Sequence, residues 1–189
     1  MTKIHILNSS RLTLRQWQDS DFEPFSRLNS DKLVMEHYPK LLSLDDSNLT
    51  AKRFQTLIAK NGWGFWAVET NDNQEFIGFI GLHKPDLAYD FAPCTEIGWR
   101  LKKEAWGNGY ATEGAMTAIN FAFRVLNIDE ILSFTSIHNQ RSEMVMKRIG
   151  MTNTNKNFRH PNLPNNDRLS EHVLYRITKS TFLSRTKQR

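Results

Sequence analysis

Two glycines in a short loop, set directly before a helix of small residues, constrain this chain more than any other feature. The loop and the helix start read WGNGYATEGAM over residues 106–116. Before it, residues 95–101 have the character of a strand, and after it the apolar residues of 111–126 recur at helical spacing. A further strand is predicted over residues 130–137. A helix that joins two strands is typical of an α/β fold with a parallel strand pair.

The rest of the chain supplies more strands and helices around this unit. The patterns predict, in order, a strand over 11–17, helices over 21–28 and 46–60, a hairpin over 62–70 and 75–83, a helix over 140–149 and a strand over 171–178. Ser20 and Glu23 have the spacing of a capping box for the first helix, and Gly150 is placed to end the last one. Residues 153–170, rich in Asn and Pro, predict a long functional loop.

Size and charge limit the kind of protein this can be. With 189 residues, we expect one domain over residues 1–189. The net charge of +5 suits an anionic ligand, while the scattering of the basic residues argues against nucleic acid. The basic residues Arg185, Lys187 and Arg189 predict a frayed, solvated tail. Cys94 is the only cysteine and no apolar run could cross a bilayer, so the sequence favours a cytoplasmic protein without disulfides and without a membrane partner.

The glycine loop allows two interpretations. The first N–H groups of a helix lack partners and carry about half a positive charge, and Gly107 and Gly109 would let a phosphate approach them closely. Alternatively, the glycines serve only a tight turn with positive φ. The spacing fits neither a P-loop, since no Gly-Lys-Ser/Thr follows, nor a dinucleotide fingerprint, since Thr112 stands where a third glycine belongs. The loop alone leaves both interpretations open.

Three segments together resemble one known family. EIGWRLKKEAWGNGYATEGAMTAINFAF resembles the acetyl-CoA-binding motif of the GNAT acetyltransferase superfamily. SSRLTLRQWQDSDFEPF is similar to the opening strand and helix of its ribosomal-protein N-terminal acetyltransferase branch, and IHNQRSEMVMKRIGM to that branch's later Asn-x-x-Ser helix. The resemblance implies a GNAT-like α/β fold, with a mixed, largely antiparallel sheet that contains a splayed parallel strand pair and is flanked by helices.

The resemblance also implies where acetyl-CoA binds. The pantetheine arm would lie between the strands over 95–101 and 130–137, along the free edge of the earlier strand. The diphosphate would rest on the amides of the glycine loop, and an asparagine at the mouth of the splay would bond the pantetheine. The coenzyme-binding residues implied in this way are Ile97, Trp99, Leu101, Gly107, Asn108, Gly109, Tyr110, Ala111, Thr112 and Asn139.

Candidate catalytic residues lie on the same strand and on the later helix. Ser142 matches the branch serine near the thioester sulfur, and it is the preferred proton donor because Met146 stands where many members carry a tyrosine acid. Glu96 begins the coenzyme-binding strand and is our candidate base, directly or through water, with a solvated strand-end carboxylate as an equal alternative. Glu104 replaces the usual Gln or Arg before the loop, which removes a cation there. For Glu113 we expect a role beside the helix dipole or in packing.

The acid–base chemistry of amines favours one acceptor class. At pH 7 an α-amine of pKa about 8 is roughly a tenth neutral, whereas a lysine near 10.4 is neutral only about a few times in ten thousand. A site without a strong base therefore suits an N-terminal α-amine of a protein or peptide, acetylated by direct attack on acetyl-CoA. A small-molecule amine, such as a polyamine or an antibiotic, is one alternative, and a non-catalytic acyl-CoA sensor is another.

Several other residues carry weaker expectations. We expect no metal, because the histidines show no H-x-x-x-H spacing and no cysteine cluster. Cys94 is interpreted as a bystander and His138 as a strand-end residue with a local hydrogen bond. The place of four residues in the branch implies that they line the acceptor cleft: Tyr38, Pro39, Arg159 and His160. We expect a monomer or a homodimer.

Overall fold

The computed structural model describes residues 2–85 and 89–186, and their strands form one nine-stranded sheet. The strands are β1 (Leu7–Asn8), β2 (Leu12–Arg15), β3 (Phe65–Thr70), β4 (Phe76–His83), β5 (Glu96–Leu101), β6 (Glu130–Ser136), β7 (Thr152–Asn153), β8 (Phe158–Arg159) and β9 (Glu171–Thr178). Their order in the sheet is β1-β2-β3-β4-β5-β6-β9-β7, and β8 pairs with β9. The predicted mixed, largely antiparallel sheet is therefore confirmed.

Helices cover both faces of this sheet. In the described ranges they are α1 (Phe22–Ser30), α2 (Leu44–Asn61), α3 (Tyr110–Arg124), α4 (Gln140–Arg148) and α5 (Lys179–Thr186). On β4, the side chain of Ile80 lies against Gly114 of α3, where an added Cβ would come within 2.4 Å of it. The neighbouring ring of Phe79 lies 6.1 Å from the ring of Phe25 in α1. Because adjacent side chains of a strand point to opposite faces, α3 and α1 lie on opposite sides of the sheet.

The central strands β5 and β6 run parallel and are joined only where they begin. Their one pair of Cα partners in the described chain is Glu96 with Leu132. The Leu132 N–H donates to the Thr95 carbonyl at 2.9 Å, and the Ser133 hydroxyl donates to the Ile97 carbonyl at 2.9 Å. Beyond that point β5 continues to Leu101 without a partner on this side. This is the parallel pair, parting toward its carboxyl end, that the sequence predicted.

The predicted capping box at the start of α1 is wrong. Helix α1 begins at Phe22 after a single 3-10 turn, and no side chain caps its first amides. The Gln18 N–H instead donates to the carboxylate of Asp21 at 2.8 Å. That carboxylate also accepts two hydrogen bonds from Arg15, at 2.7 and 2.9 Å. A buried ion pair with strand β2 therefore sets this turn, in place of Ser20 and Glu23.

The C-terminal part contains structure that the sequence did not reveal. Gly150 ends α4 with a φ of 87°, and its N–H donates to the Lys147 carbonyl at 3.0 Å, as predicted. Arg185 is exposed but belongs to helix α5, and it donates to the Gly150 carbonyl at 2.7 Å, so it is not part of a frayed tail. Lys187 and Arg189 lie outside the described residues. The predicted loop over 153–170 includes the short strand β8.

The ion pairs of Arg15 give a test of this fold. We predict that Arg15→Met destabilises the protein by about 3–5 kcal/mol, because Asp21 would be left buried without its cation. The side chain of Asp21 is only 2% exposed, and Arg15 also contacts Glu69 at 2.5 Å. Urea unfolding measures the change. Arg27→Met is the matched control, since Arg27 and its partner Glu23 are both largely exposed. Equal losses in the two variants would contradict the prediction.

Candidate active site

The glycine loop leaves a row of backbone amides without acceptors. Gly107 and Gly109 have φ values of 78° and 81°, so the turn interpretation holds for both. Gly109 is the N-cap of α3, and no side chain caps the helix. Within the described chain, the N–H groups of residues 107–112 donate to no protein acceptor. An added Cβ at Gly107 would meet nothing within 4 Å, so the surface beside these amides is open. The glycines therefore form a tight turn and also leave the amides open to a ligand, so the two interpretations of the loop are compatible.

Arg11, just before strand β2, and Glu113, in the first turn of α3, hold this loop in place. The Glu113 carboxylate accepts hydrogen bonds from the Ser9 hydroxyl at 2.8 Å and from the Arg11 backbone and Nε at 2.8 and 2.7 Å. Arg11 also donates to the Asn108 carbonyl at 3.1 Å and stacks over the Tyr110 ring. Burial alone would raise the pKa of Glu113, but the hydrogen bonds from Arg11 and Ser9 lower it overall. Glu113 is thus an anchor of the loop, and the sequence did not reveal Arg11.

One edge of β5 faces the gap between the parting strands. The Lys102 N–H donates to the Ile77 carbonyl of β4 at 2.9 Å. Hydrogen-bonded pairs alternate along an antiparallel ladder, so Trp99 turns its backbone groups away from β4, toward the gap. Two other carbonyls on this edge already have partners: that of Ile97 accepts from Ser133, and that of Leu101 accepts from the Trp106 indole at 2.9 Å.

The loop, the strand edge and helix α4 enclose a cavity of about 450 Å³. Nine of the twelve predicted site residues line it: Trp99, Leu101, Gly107, Gly109, Tyr110, Ala111, Thr112, Asn139 and Ser142. The other three, Glu96, Ile97 and Asn108, are not among the lining residues. Of the residues expected at the acceptor cleft, Tyr38 lines this cavity, and Pro39, Arg159 and His160 do not. The structure therefore brings most of the predicted residues to one place.

Helix α4 forms the second wall of the cavity. Its N-cap Asn139 accepts a hydrogen bond from the Ser142 N–H at 3.2 Å and donates to the Thr135 hydroxyl at 3.0 Å. One N–H of the Asn139 amide is left for a ligand. No partner of the Ser142 hydroxyl is found among the described residues. Met146 is 1% exposed and packs in the core, so the position of the missing tyrosine acid does not line the cavity.

Glu96 lies just outside the cavity lining, on the face of the sheet that also carries Arg100. Its Oε1 would be 3.7 Å from a Cβ added at Gly98, so the carboxyl lies along β5 toward the parting strands. The side chain keeps part of its surface exposed, yet protein atoms surround it closely, and this burial raises the pKa of Glu96 to about 8. No hydrogen bond to the carboxyl is found in the described ranges. Glu96 is therefore not an ordinary solvated carboxylate.

Two of the weaker candidates are explained by their surroundings. Burial, together with Glu96 and Glu130, raises the pKa of the Cys94 thiol to about 11, so the thiol is protonated at neutral pH and is a poor nucleophile. The His138 N–H donates to the Ser136 hydroxyl at 3.4 Å, and this bond involves the backbone and not the ring. Neither residue lines the cavity.

The structure adds three polar residues that the sequence reading missed. His37, Arg100 and Arg141 all line the cavity. Arg141 stacks over the Trp106 ring at 4.6 Å, and Arg100 stacks over the Tyr38 ring at 3.8 Å. For Arg100 a signal was present, because a lone arginine stands in the otherwise apolar run IGWRL. For the other two, only the tertiary structure brings them to the site.

The described chain shows neither a metal site nor a membrane-spanning helix. No group of three His, Cys, Asp or Glu residues in it is arranged to hold a metal ion. None of the helices in residues 2–85 and 89–186 is long and apolar enough to span a membrane.

A parted parallel strand pair, with a glycine loop of free amides at its open end, defines the class of acyltransferases built to hold a coenzyme in that gap. The family model for the acetyltransferase (GNAT) domain matches residues 11–152, and the chain belongs to this family. It is thus an acetyl-CoA-dependent N-acetyltransferase. The uncharacterized N-acetyltransferase YoaA of Bacillus subtilis (strain 168) is 28% identical over 147 residues, which are 77% of this chain and 81% of YoaA.

Two solved structures from Vibrio cholerae share the fold. A candidate ribosomal-protein-serine acetyltransferase superposes with a TM-score of 0.75 at 15% identity, covering 94% of this chain and 99% of that one. A spermidine N-acetyltransferase, solved in complex with CoA and spermine, superposes with a TM-score of 0.72 at 20% identity, covering 93% and 99%. Their acceptors differ, so the fold does not define the acceptor of this chain.

The raised pKa of Glu96 predicts an effect on stability. A folded-state pKa of about 8, against an ordinary 4.5, means that the folded protein holds a proton that the unfolded chain has released. Above pH 4.5 the unfolded chain releases this proton and the folded protein does not, so the free energy of unfolding falls as pH rises from about 4.5 toward 8. We predict that Glu96→Gln raises the Tm more at pH 9 than at pH 4. Calorimetry at both pH values checks this, and a pH-independent change in Tm would contradict it.

Proposed function

We propose that acetyl-CoA lies in the cavity between β5 and α4, with its diphosphate on the amides of residues 107–112. The pantetheine arm would then follow the outer edge of β5 past Trp99, and Asn139 would donate its free N–H to it. The observation that carries this placement is that the free amides and the unpaired strand edge open into the same cavity. Arg141 and Arg148, which also line the cavity, add positive charge suited to phosphates.

The proposed reaction is a direct transfer. The neutral amine nitrogen attacks the thioester carbonyl carbon, and the carbon–sulfur bond breaks with its electrons going to sulfur. The amine proton passes to the carboxylate of Glu96, directly or through water. The leaving thiolate takes the proton of the Ser142 hydroxyl, which is restored from solvent. The products are an amide and free coenzyme A, whose thiol pKa of about 8.5 makes its departure undemanding.

For the acceptor we propose an N-terminal α-amine of a peptide or protein. A base with a pKa of about 8 is matched to an ammonium of similar pKa and is too weak for a lysine near 10.4. The sequence resemblance to the ribosomal-protein branch points the same way. The charge of the cavity supports this choice as well, because its described lining contains arginines and no carboxylate. A polyamine would carry several positive charges into that wall.

Two alternative functions have some support. Small-molecule amine transfer is favoured by the fold likeness to the spermidine enzyme alone. A non-catalytic sensor of acyl-CoA is favoured by the loss of the tyrosine acid at Met146 and of the cation at Glu104. A panel of amine acceptors separates the two alternatives, because the first predicts turnover with polyamines and the second predicts no turnover with any amine.

An acceptor panel tests the proposed function. We predict that thiol release from acetyl-CoA is fast with peptides bearing a free N-terminus, and slow with the same peptides after N-terminal blocking or with spermidine. Mass spectrometry of the peptide locates the acetyl group. Turnover with spermidine and none with peptides would establish the polyamine alternative. Tight acetyl-CoA binding without turnover on any amine would establish the sensor.

The placement of the diphosphate is tested at Gly109. We predict that Gly109→Val weakens coenzyme A binding by about tenfold or more, because the side chain blocks the approach to the amides. Titration calorimetry measures the Kd. Gly62→Val is the control for strain, since Gly62 has nearly the same φ, 80°, at the end of α2 and does not line the cavity. It should lose stability and keep its coenzyme affinity. Equal affinity losses in both variants would contradict the placement.

A further inference from the structure

The guanidinium of Arg100 is held rigidly in the cavity wall. Its Nη1 donates to the Asn29 side-chain carbonyl at 2.6 Å, and the rings of Tyr38 and Phe79 lie 3.8 and 5.5 Å from its central carbon. Asn29 is itself fully buried and donates to the Ser47 hydroxyl at 2.8 Å, which fixes the orientation of its amide. A guanidinium fixed in this way needs little further ordering when it binds a ligand.

The same guanidinium lacks partners for part of its hydrogen-bonding capacity. In the described chain, its Nε is buried without an acceptor, and no carboxylate forms an ion pair with it. The buried Nδ1 of His37, on the same cavity, is also unpartnered. Burial lowers the pKa of His37, so the ring is neutral at pH 7 and does not compete with Arg100 for an anion. Buried polar groups are nearly always paired, so two unpaired ones in one cavity point to a ligand.

The strand places Arg100 on the acceptor side of the proposed reaction. Arg100 lies four positions after Glu96 on β5, and because side chains alternate along a strand, the two share one face of the sheet. Trp99, whose backbone would follow the pantetheine arm, has its side chain on the opposite face. Because Glu96 is the proposed base, the acceptor amine would reach the thioester from the face that carries Glu96 and Arg100.

We propose that Arg100 binds the carbonyl or carboxylate oxygen next to the acceptor amine through its Nη2 group, which donates to no protein acceptor in the described chain. This inference rests on the proposed function and narrows its substrate class to amines with an adjacent carbonyl group, such as the first residue of a peptide. The oxygen accepts a hydrogen bond from Nη2 and compensates the positive charge, which no carboxylate of the described chain neutralises. Simple alkylamines and polyamines lack this oxygen, so they gain nothing from Arg100.

The test compares two acceptors that differ at this group. Alaninamide and but-3-yn-2-amine share the methyl-bearing carbon next to the amine, and each has an electron-withdrawing group that lowers the amine pKa, but only the first carries the carbonyl. Steady-state kinetics are measured for the wild type, for Arg100→Gln, and for the exposed control Arg27→Gln. We expect Arg100→Gln to lower kcat/KM for alaninamide by about tenfold or more and for but-3-yn-2-amine by less than about twofold. The control and the Kd for coenzyme A should not change.

Three results would overturn the inference. Equal losses on the two amines would make Arg100 a structural residue, and a weaker Kd for coenzyme A would assign its free N–H to the coenzyme. No loss on alaninamide would show that the contact is not made. Arg100→Lys, which keeps the charge without the planar fork, repeats the test if the glutamine variant does not fold.

A binding measurement separates this inference from the proposed function. If the wild type acetylates neither amine, alaninamide is titrated into the protein loaded with coenzyme A. Binding that is lost in Arg100→Gln would support the contact while the transferase proposal for α-amines fails. Absent binding, or binding unaffected by the substitution, would overturn the inference as well.

Discussion

The parting of β5 from β6 is the constraint on which the rest of the site depends. The two strands are joined where they begin, through the Thr95 carbonyl and the Ser133 hydroxyl, and then separate. Both following helices, α3 and α4, begin at the carboxyl end of this pair, where ligands bind in open α/β sheets. Beyond the first residues of the pair, the backbone groups on this edge of β5 have no strand of the described chain to pair with. The free backbone of β5 and the helix starts are the features that support the proposed coenzyme site here.

The charged residues around the gap fall into three groups with different roles: the Arg11–Glu113 pair, the arginines of the cavity wall and Glu96. The Arg11–Glu113 pair ties the glycine loop to the other end of the sheet without using the amides that face the cavity. The described cavity wall carries arginines and no carboxylate, which suits a phosphate-bearing coenzyme and disfavours a polycation. Glu96 is kept away from these cations, so burial dominates its pKa. A carboxyl whose pKa is raised to about 8 and a cavity lined by arginines can therefore lie close together in one small protein.

Local sequence patterns predicted the parts of the fold that local physics controls. The glycine loop, the small-residue face of α3 and the end of α4 at Gly150 depend on neighbouring residues, and they were found. The capping box failed because Asp21 pairs with Arg15, six positions earlier on strand β2, and the local capping pattern does not include such a contact. Arg100, His37 and Arg11 were missed because their roles come from strand register and from contacts between distant elements. Glu96 was proposed from its place on the strand, but its raised pKa depends on packing that no pattern reveals.

The central claim is that the amides of residues 107–112 bind the coenzyme diphosphate. The most direct measurement is the backbone amide NMR spectrum of the protein. It is recorded during titration with coenzyme A and, separately, with pantetheine, which has the same thiol arm but no phosphate. The account predicts that these amides shift strongly downfield with coenzyme A and little with pantetheine, while Trp99 responds to both. Large shifts at another basic surface, with the loop amides unchanged, would contradict the account.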